Sequence, residues 1–451
     1  MVFAIVIILL VIGTVVFHFA SPWWFTEIAS NWGTIDGTVH ITFWVTGIVF
    51  VAVNGFLAFC IFRYRARQGQ RAHFEPESKK LEWWLTIVTA VGVSAMLAPG
   101  LWVWAKFVEV PANADIVEVV GQQWAWTFRY PGKDGQLGKT DIGKMTVDNP
   151  FGMDPEDPAG QDDILIAKPE LHLPLGRPVK LLLRSKDVLH DFAVAPFRVK
   201  MDLVPGMVTY AWLTPTRTGT FDVLCEEYCG IAHFAMRARV KVEDPDTFNA
   251  WLADQPTFAQ QSETPLGDPQ AGQALFAVCS ACHGAQGEGN PATNAPKLAG
   301  QEGWYVKKQL HHFQQGLRGT SEADTYGQQM APMAATVTDE NAMNNLVAYL
   351  ATLPDKPAAM SVTGDAARGA KLFVTCANCH GDKGQGIWSL NTPRLAGMSD
   401  WYLARQLENF KSGTRGSNPA DIHGAQMAFM ARTLADQQAI DDLVAYIDTL
   451  D

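Results

Sequence analysis

Residues 225–236 read Cys225-Glu226-Glu227-Tyr228-Cys229-Gly230-Ile231-Ala232-His233-Phe234-Ala235-Met236. Two thiols, an imidazole and a thioether fall within a dozen positions, directly after the strand-like run 221–224. Soft sulfur ligands combined with imidazole select copper, zinc or iron, and the thioether turns the choice from zinc towards copper. Upstream, Asp187-Val188-Leu189-His190 places a second imidazole after another strand-like run, 179–184. Further β-like segments lie at 238–242 and in Trp124-Ala125-Trp126-Thr127-Phe128-Arg129-Tyr130, where aromatics alternate with other residues. Pro and Gly punctuate them, which predicts a compact β-sandwich or barrel. Singly, Met236 reads as core and His190 as a satisfied surface histidine; the complete set on one β-domain argues for a metal site.

The pattern resembles the binuclear copper (CuA) domain of cytochrome c oxidase subunit II. That family's motif, C-x-E-x-C-G-x-x-H-x-x-M preceded by D-V-x-H, is matched at Cys225, Glu227, Cys229, Gly230, His233 and Met236, and at Asp187, Val188 and His190. The resemblance covers about residues 38–243 and implies a cupredoxin-like β-barrel behind a helical hairpin. It implies that Cys225 and Cys229 bridge two coppers, that His190 and His233 each cap one, and that Met236 and the Glu227 carbonyl are weak axial ligands. The Glu227 carboxylate would face a magnesium ion shared with subunit I. Trp124 matches the residue where electrons enter above the copper, whereas Trp126 reads as core packing. Glu82 matches a glutamate at the mouth of a proton channel; without the resemblance, an interfacial acid capping a helix fits it equally well. Two departures stand out. Met207 follows Pro205-Gly206 where the family commonly has Arg, and an acidic insertion at 131–163 reads as a surface loop.

Downstream, the sequence repeats itself. Cys279-Ser280-Ala281-Cys282-His283 and Cys376-Ala377-Asn378-Cys379-His380 are 97 positions apart. The same offset relates Pro296 to Pro393, Tyr305 to Tyr402, Gln309 to Gln406, Arg318 to Arg415, Met330 to Met427 and Tyr349 to Tyr446. One offset held without a gap implies a tandem duplication, with 354–364 as the joint. C-x-x-C-H is the attachment motif of haem c. A shared zinc ribbon is excluded because each cysteine pair has its own histidine and its own domain-sized segment. The distal iron ligand should be a methionine, which raises the potential. Met330 or Met333, and Met427 or Met430, are the candidates. Both copies resemble the bacterial dihaem cytochromes c, with a P-K/R-L-A-G loop at 296–300 and 393–397. In that family the ligand lies eight residues before a Ser or Thr capping the last helix. Thr338 therefore points to Met330, and the corresponding Ala435 points less clearly to Met427. Met333 and Met430 would pack at the haem edge. Pro296 and Pro393 are expected to present carbonyls to His283 and His380.

Upstream, 41–62 and 83–105 carry no charged residue, and a membrane helix needs roughly 20 apolar residues. Between them lie Arg63, Arg65, Arg67, Arg71, Lys79 and Lys80, whereas 21–38 holds no Lys or Arg. The positive-inside rule puts the basic segment in the cytoplasm and everything after 106 outside. Residues 2–19 lack a basic n-region and an A-x-A-like cleavage site near Ser21-Pro22-Trp23-Trp24, which favours a retained first helix over a signal peptide. Of seven cysteines, only Cys60 stands outside the tight pairs, in an apolar run where no role is expected. The net charge of −11 argues against nucleic acid as a partner.

The expected fold is thus a multidomain membrane protein: transmembrane α-helices, a cupredoxin-like β-barrel and two tandem all-α class I cytochrome c domains. The expected boundaries are an anchor at 1–106 (helices about 2–19, 39–62 and 83–106), the CuA domain at 107–243, a linker at 244–270, and haem domains at 271–354 and 365–451. The resemblance implies the electron-input subunit of a haem–copper cytochrome c oxidase in the bacterial inner membrane, its soluble domains in the periplasm. Its cofactors would be CuA and two haems c, with magnesium at the subunit I interface, and oxygen chemistry would belong to subunit I. The site residues are those named above: Cys225, Cys229, His190, His233, Met236 and Glu227 for copper; Cys279, Cys282, His283 and Met330 for the first haem; Cys376, Cys379, His380 and Met427 for the second. The donor would be a periplasmic cytochrome c or a quinol:cytochrome c reductase. The rivals are a CuA-containing nitric oxide reductase subunit and a stand-alone membrane-tethered shuttle; the second would need only one span.

Overall fold

The computed structural model describes residues 2–21, 26–69, 71, 76–145, 149, 151–166, 168–262 and 267–450. Pro22, Trp23 and Trp24 near the sought cleavage site, residues 146–148 and 150 of the insertion, and 263–266 of the linker lie outside them. Three helices come first: α1 (Val2–Ala20), α2 (Gly33–Arg63) and α3 (Lys79–Val108). All three are long and apolar enough to cross a membrane. Their outward faces carry exposed Phe, Leu, Ile and Trp, among them Trp83 and Trp84, a surface that lipid rather than water stabilises. α2 starts well before the apolar run, and its first turn includes Asp36.

Ten strands follow: β1 (Asp115–Gln122), β2 (Ala125–Tyr130), β3 (Ile164–Ile166), β4 (Glu170–Pro174), β5 (Val179–Ser185), β6 (His190–Val194), β7 (Val199–Leu203), β8 (Thr209–Leu213), β9 (Gly219–Leu224) and β10 (Arg237–Glu243). They form two five-stranded sheets, ordered β3-β2-β1-β5-β8 and β4-β10-β9-β6-β7. β5 shows the period-two burial of a strand with one face inward: Val179, Leu181 and Leu183 are fully buried while the residues between them are not. One core fills the space between the sheets, built on Trp126, Phe128, Leu171, Leu181, Phe192 and Val240, with Trp126 in the packing role expected of it.

The insertion at 131–163 is more than the surface loop expected. Phe151 and Met153 are buried against Val120, and Asp163 accepts from Arg129 Nη1 at 2.7 Å while Glu118 binds Arg129 Nε at 2.6 Å. An arginine 2% exposed between two carboxylates must be paired, and the insertion supplies one partner. The segment 244–270 likewise holds structure: α4 (Pro245–Ala253) and α5 (Phe258–Ser262). α4 buries Phe248 against the barrel and stacks Trp251 on His172 at 3.7 Å.

Each haem repeat is four helices: α6 (Pro269–His283), α7 (Gly303–Gln314), α8 (Thr325–Ala334) and α9 (Glu340–Leu350), then α10 (Ala366–His380), α11 (Asp400–Ser412), α12 (Ile422–Ala431) and α13 (Gln437–Ile447). α6 and α10 begin alike, with Asp268 and Asp365 accepting from backbone N–H groups of the first turn. Each then crosses its closing helix at a glycine. A Cβ on Gly272 would meet Asn345 O at 1.9 Å, and one on Gly369 would meet Asp442 O at 1.9 Å. The cap of the closing helix is not at Thr338 or Ala435 as expected. Asp339 and Asp436, one residue later, take extended backbone and accept from Ala342 N and Ala439 N. The caps of the two copies are therefore equivalent, so Ala435 takes nothing from the case for Met427.

Candidate functional site

β9 ends at Leu224 and β6 begins at His190, on adjacent strands, so the loop from 225 to 236 and the head of β6 meet at one end of the barrel. There Cys225 Sγ and Cys229 Sγ stand 3.7 Å apart. His190 Nδ1 is 3.9 Å from the first sulfur and His233 Nδ1 is 3.5 Å from the second. Met236 Sδ lies 3.8 Å from Cys229 Sγ, and the Glu227 carbonyl lies 3.2 Å from Cys225 Sγ. The structure thus brings all six expected copper residues together. His190 is completely buried, and its Nε2 donates to Asp187 Oδ1 at 2.8 Å. That contact fixes the tautomer and leaves Nδ1 as the acceptor facing the sulfurs.

The electrostatics fit a cation between the thiols. Hydrogen bonding from Cys229 holds the Cys225 thiol down at about 3, with His190 adding to the effect against burial. The same contact with Cys225, together with burial, drives Cys229 far up. A pair this close and this buried carries one negative charge alone, and carries two only with positive charge among them. The donor set of two sulfurs, two imidazoles and a thioether fits soft copper.

Two residues of the β1–β2 turn reach into the same loop. Trp124, 6% exposed, donates from Nε1 to the Cys229 carbonyl at 3.1 Å. Gln123, which motif reading missed, donates from Nε2 to the same carbonyl at 2.8 Å. Gly230 makes room for both: at φ +123° it lies outside the usual range of L residues, and a Cβ there would stand 2.9 Å from Gln123 Nε2 and from Trp124 Cζ2. Glu82 is remote from this cluster, exposed in the first turn of α3. Met207, in place of the family's Arg, is 59% exposed.

The cysteines of each C-x-x-C-H stand at i and i+3 in the final turns of α6 and α10, on one helix face, with the histidine at the helix end. His283 Nδ1 donates to Pro296 O at 2.8 Å and His380 Nδ1 to Pro393 O at 2.8 Å, the carbonyl contacts expected. Burial lowers both imidazoles, keeping them neutral with Nε2 available to iron. One mainly apolar cleft runs between the repeats and is lined by both Cys-Cys-His sets and by Met330, Met333, Met427 and Met430. Met330 packs into the first repeat's core and Met427 into the second's, whereas Met333 is 37% exposed and Met430 packs against the barrel. Burial pushes Cys376 up to about 12 and Cys379 up to about 11, so these thiols stay uncharged. That suits a neutral thioether to haem and contrasts with the copper pair. The cleft therefore fits haem.

The profile of the cytochrome C oxidase subunit II periplasmic domain matches residues 116–243, and that of cytochrome c matches 269–354 and 366–451. The alternative cytochrome c oxidase subunit 2 of Bradyrhizobium diazoefficiens is 59% identical over 256 residues, which are 57% of this chain and 92% of that protein. The chain belongs to the cytochrome c oxidase subunit II family. Its C-terminal part is similar to cytochrome c4 of Pseudomonas aeruginosa, 37% identical over 158 residues, 33% of this chain and 74% of that one. Among solved structures, the periplasmic domain of subunit II of the Bradyrhizobium japonicum cytochrome oxidase is 26% identical with a TM-score of 0.24, covering 32% of this chain and 95% of that one. As a subunit II with two cytochrome c domains, the protein is a membrane-anchored electron-input component of a respiratory oxidoreductase complex. Subunits of this family partner with subunit I of haem–copper oxidases; the family implies CuA, and the two further domains imply haem c.

Proposed function

We propose that this subunit carries electrons from a periplasmic donor, either a cytochrome c or a quinol:cytochrome c reductase, through two haems c and CuA to the haem of subunit I, where oxygen is reduced to water. When bound, these groups supply one-electron redox chemistry. The observation that carries the reading is the pair of sulfurs at 3.7 Å with two imidazole Nδ1 atoms aimed at them. Cys225, Cys229, His190, His233, Met236 and the Glu227 carbonyl would hold the coppers, the two sulfurs and two imidazoles supplying the soft donors. The Glu227 carboxylate would hold a magnesium ion at the subunit I interface. Cys279, Cys282, His283 and Met330 would hold the first haem, and Cys376, Cys379, His380 and Met427 the second. Trp124 covers the copper loop where electrons enter. Glu82, at the α3 end next to the basic 63–82 segment, takes up protons from the cytoplasm. The membrane is the bacterial inner membrane, and the soluble domains lie in the periplasm.

The test is a metal and haem count on the purified complex, with oxygen uptake and haem oxidation followed in Cys229→Ser. Two coppers and two haems c per chain are expected, and Cys229→Ser should keep both haems while their oxidation stops. Zinc in place of copper, or rapid haem oxidation in the variant, would overturn the reading. Consumption of nitric oxide rather than oxygen would move the subunit to a different complex, and a monomer in mild detergent would make it a shuttle.

A further inference from the structure

The two haem repeats are copies, yet they do not meet the copper domain in the same way. The second cysteine of the motif shows the difference. Cys282 is exposed. Cys379, its counterpart 97 positions on, packs against the barrel core, with Sγ 3.9 Å from the Gln123 carbonyl oxygen. Other contacts of the second repeat seat it at the same corner. Gln426 Nε2 donates to the carbonyls of Trp124 and Ala235, each at 3.4 Å. Phe429 meets Phe234 edge-on with ring centroids 5.2 Å apart, and Met430 packs on the barrel. Phe234 and Ala235 belong to the copper loop itself.

Gln123 is thus in contact with both sites. Its carbonyl touches the sulfur that anchors the second haem, and its side-chain amide donates at 2.8 Å to the carbonyl of Cys229, whose own sulfur faces the copper position. From one cysteine sulfur to the other there are a single intervening residue, one 3.9 Å contact and one 2.8 Å hydrogen bond. Trp124 Nε1 runs beside it to the same carbonyl. Gly230 keeps this junction closed, since any Cβ would push both side chains away.

We infer that the order is first repeat, second repeat, copper pair, and that Gln123 is the positioning residue that bridges the last step. The inference rests on the proposed function and adds an order and a route to it. The step moves one electron, with no proton and no bond made or broken. The iron held by His380 goes from ferrous to ferric, and the copper pair between Cys225 and Cys229 gains the electron. The first repeat, with its second cysteine exposed, is the outer acceptor.

Two measurements on the intact, loaded complex test this. In the first, pulsed EPR reads how strongly ferric haem speeds the spin relaxation of the oxidised copper pair. Removing the second haem (Cys376→Ala with Cys379→Ala) should abolish that enhancement, and removing the first (Cys279→Ala with Cys282→Ala) should leave most of it. Equal losses, or the reverse pattern, would overturn the order. In the second, flash-initiated electron transfer from haem to copper is timed in Gln123→Leu. The rate should fall by roughly tenfold or more, equivalent to about 1.4 kcal/mol on the barrier, with copper and haem content unchanged. Trp124→Phe tells the parallel route from this one and should slow transfer less. A wild-type rate in Gln123→Leu removes Gln123 as the bridge. A complex without copper would instead defeat the functional reading itself.

Discussion

Asn345 and Asp442 occupy the same place in the two repeats and do the same local job. Asn345 Oδ1 accepts the Asp268 N–H at 2.7 Å, and Asp442 Oδ1 accepts the Asp365 N–H at 2.8 Å. Only the second is charged, and only it has an arginine partner, Arg368, where the first repeat has Ala271. The Arg368 contact holds the Asp442 carboxyl at about 2, below the ordinary 3.8. A carboxyl whose pKa is lower folded than unfolded contributes stability that is complete above the unfolded value and is lost as pH falls through the folded one. The second repeat should therefore weaken between about pH 4 and pH 2 more than the first does. Asp442→Asn should flatten that difference while keeping the Asp365 contact. Hydrogen exchange, comparing α10 and α13 with α6 and α9 across this range, checks it; equal acid sensitivity of the two pairs would refute it.

At the scale of elements, what could be read from the sequence depended on how local the information was. The copper loop was legible because Cys225, Cys229, His233 and Met236 lie within one turn-rich segment after a strand, and His190 announces itself by the Asp187 three residues before it. The haem attachment helices were legible for the same reason. The caps at Asp339 and Asp436 fall one residue beyond the position that family spacing indicates, because side-chain reach decides them. Least legible was the joint between repeats. The 97-residue offset shows that Tyr305, Gln309 and Arg318 recur, but not which copy each one touches. In the structure each arginine bonds the glutamine of its own copy at 2.8 Å and also crosses to the other copy. Arg318 bonds Tyr402 Oη at 2.7 Å and Gln406 Oε1 at 3.2 Å; Arg415 bonds Tyr305 Oη at 3.1 Å and Gln309 Oε1 at 2.8 Å. A duplicated residue pair thereby makes two matching seams. Arg318→Leu and Tyr402→Phe should each destabilise the joint, and the double variant should fall short of their sum by about 0.5–3 kcal/mol, the coupling of residues in contact. Chemical denaturation of the four species of the cycle measures it, and strict additivity would show the crossing to be unimportant.

The whole molecule stacks an anchor, a barrel and a haem module, and its two seams differ in kind. Composition predicted the anchor, because a membrane helix must be apolar throughout. No composition rule predicts how a barrel sits on it, since that depends on single polar contacts between distant residues. Here the segment before α2 enters the barrel. Ser30 Oγ donates to Phe197 O at 2.7 Å, and the indole of Trp32, 2% exposed, donates to Trp212 O at 2.8 Å. Arg198 then grips the head of α2, with Nε 2.7 Å and Nη2 2.9 Å from the two oxygens of Asp36, and it also donates from Nη2 to Thr26 O at 2.7 Å. This fork is bidentate and mostly buried, which gives it direction as well as strength. It fixes the end of the β6–β7 hairpin away from His190 relative to the membrane, and so orients the barrel relative to any partner that shares that membrane. Arg198→Met should cost about 1–3 kcal/mol at this seam, the size of a buried donor lost to its partners. It should speed hydrogen exchange in 26–36 and in β7 while leaving α10 and α13 unchanged. Adding Asp36→Asn to Arg198→Met should change little more, because the two residues share one interaction. If the second substitution loosens the seam as much again, the barrel is held by other contacts and Arg198 does not orient it.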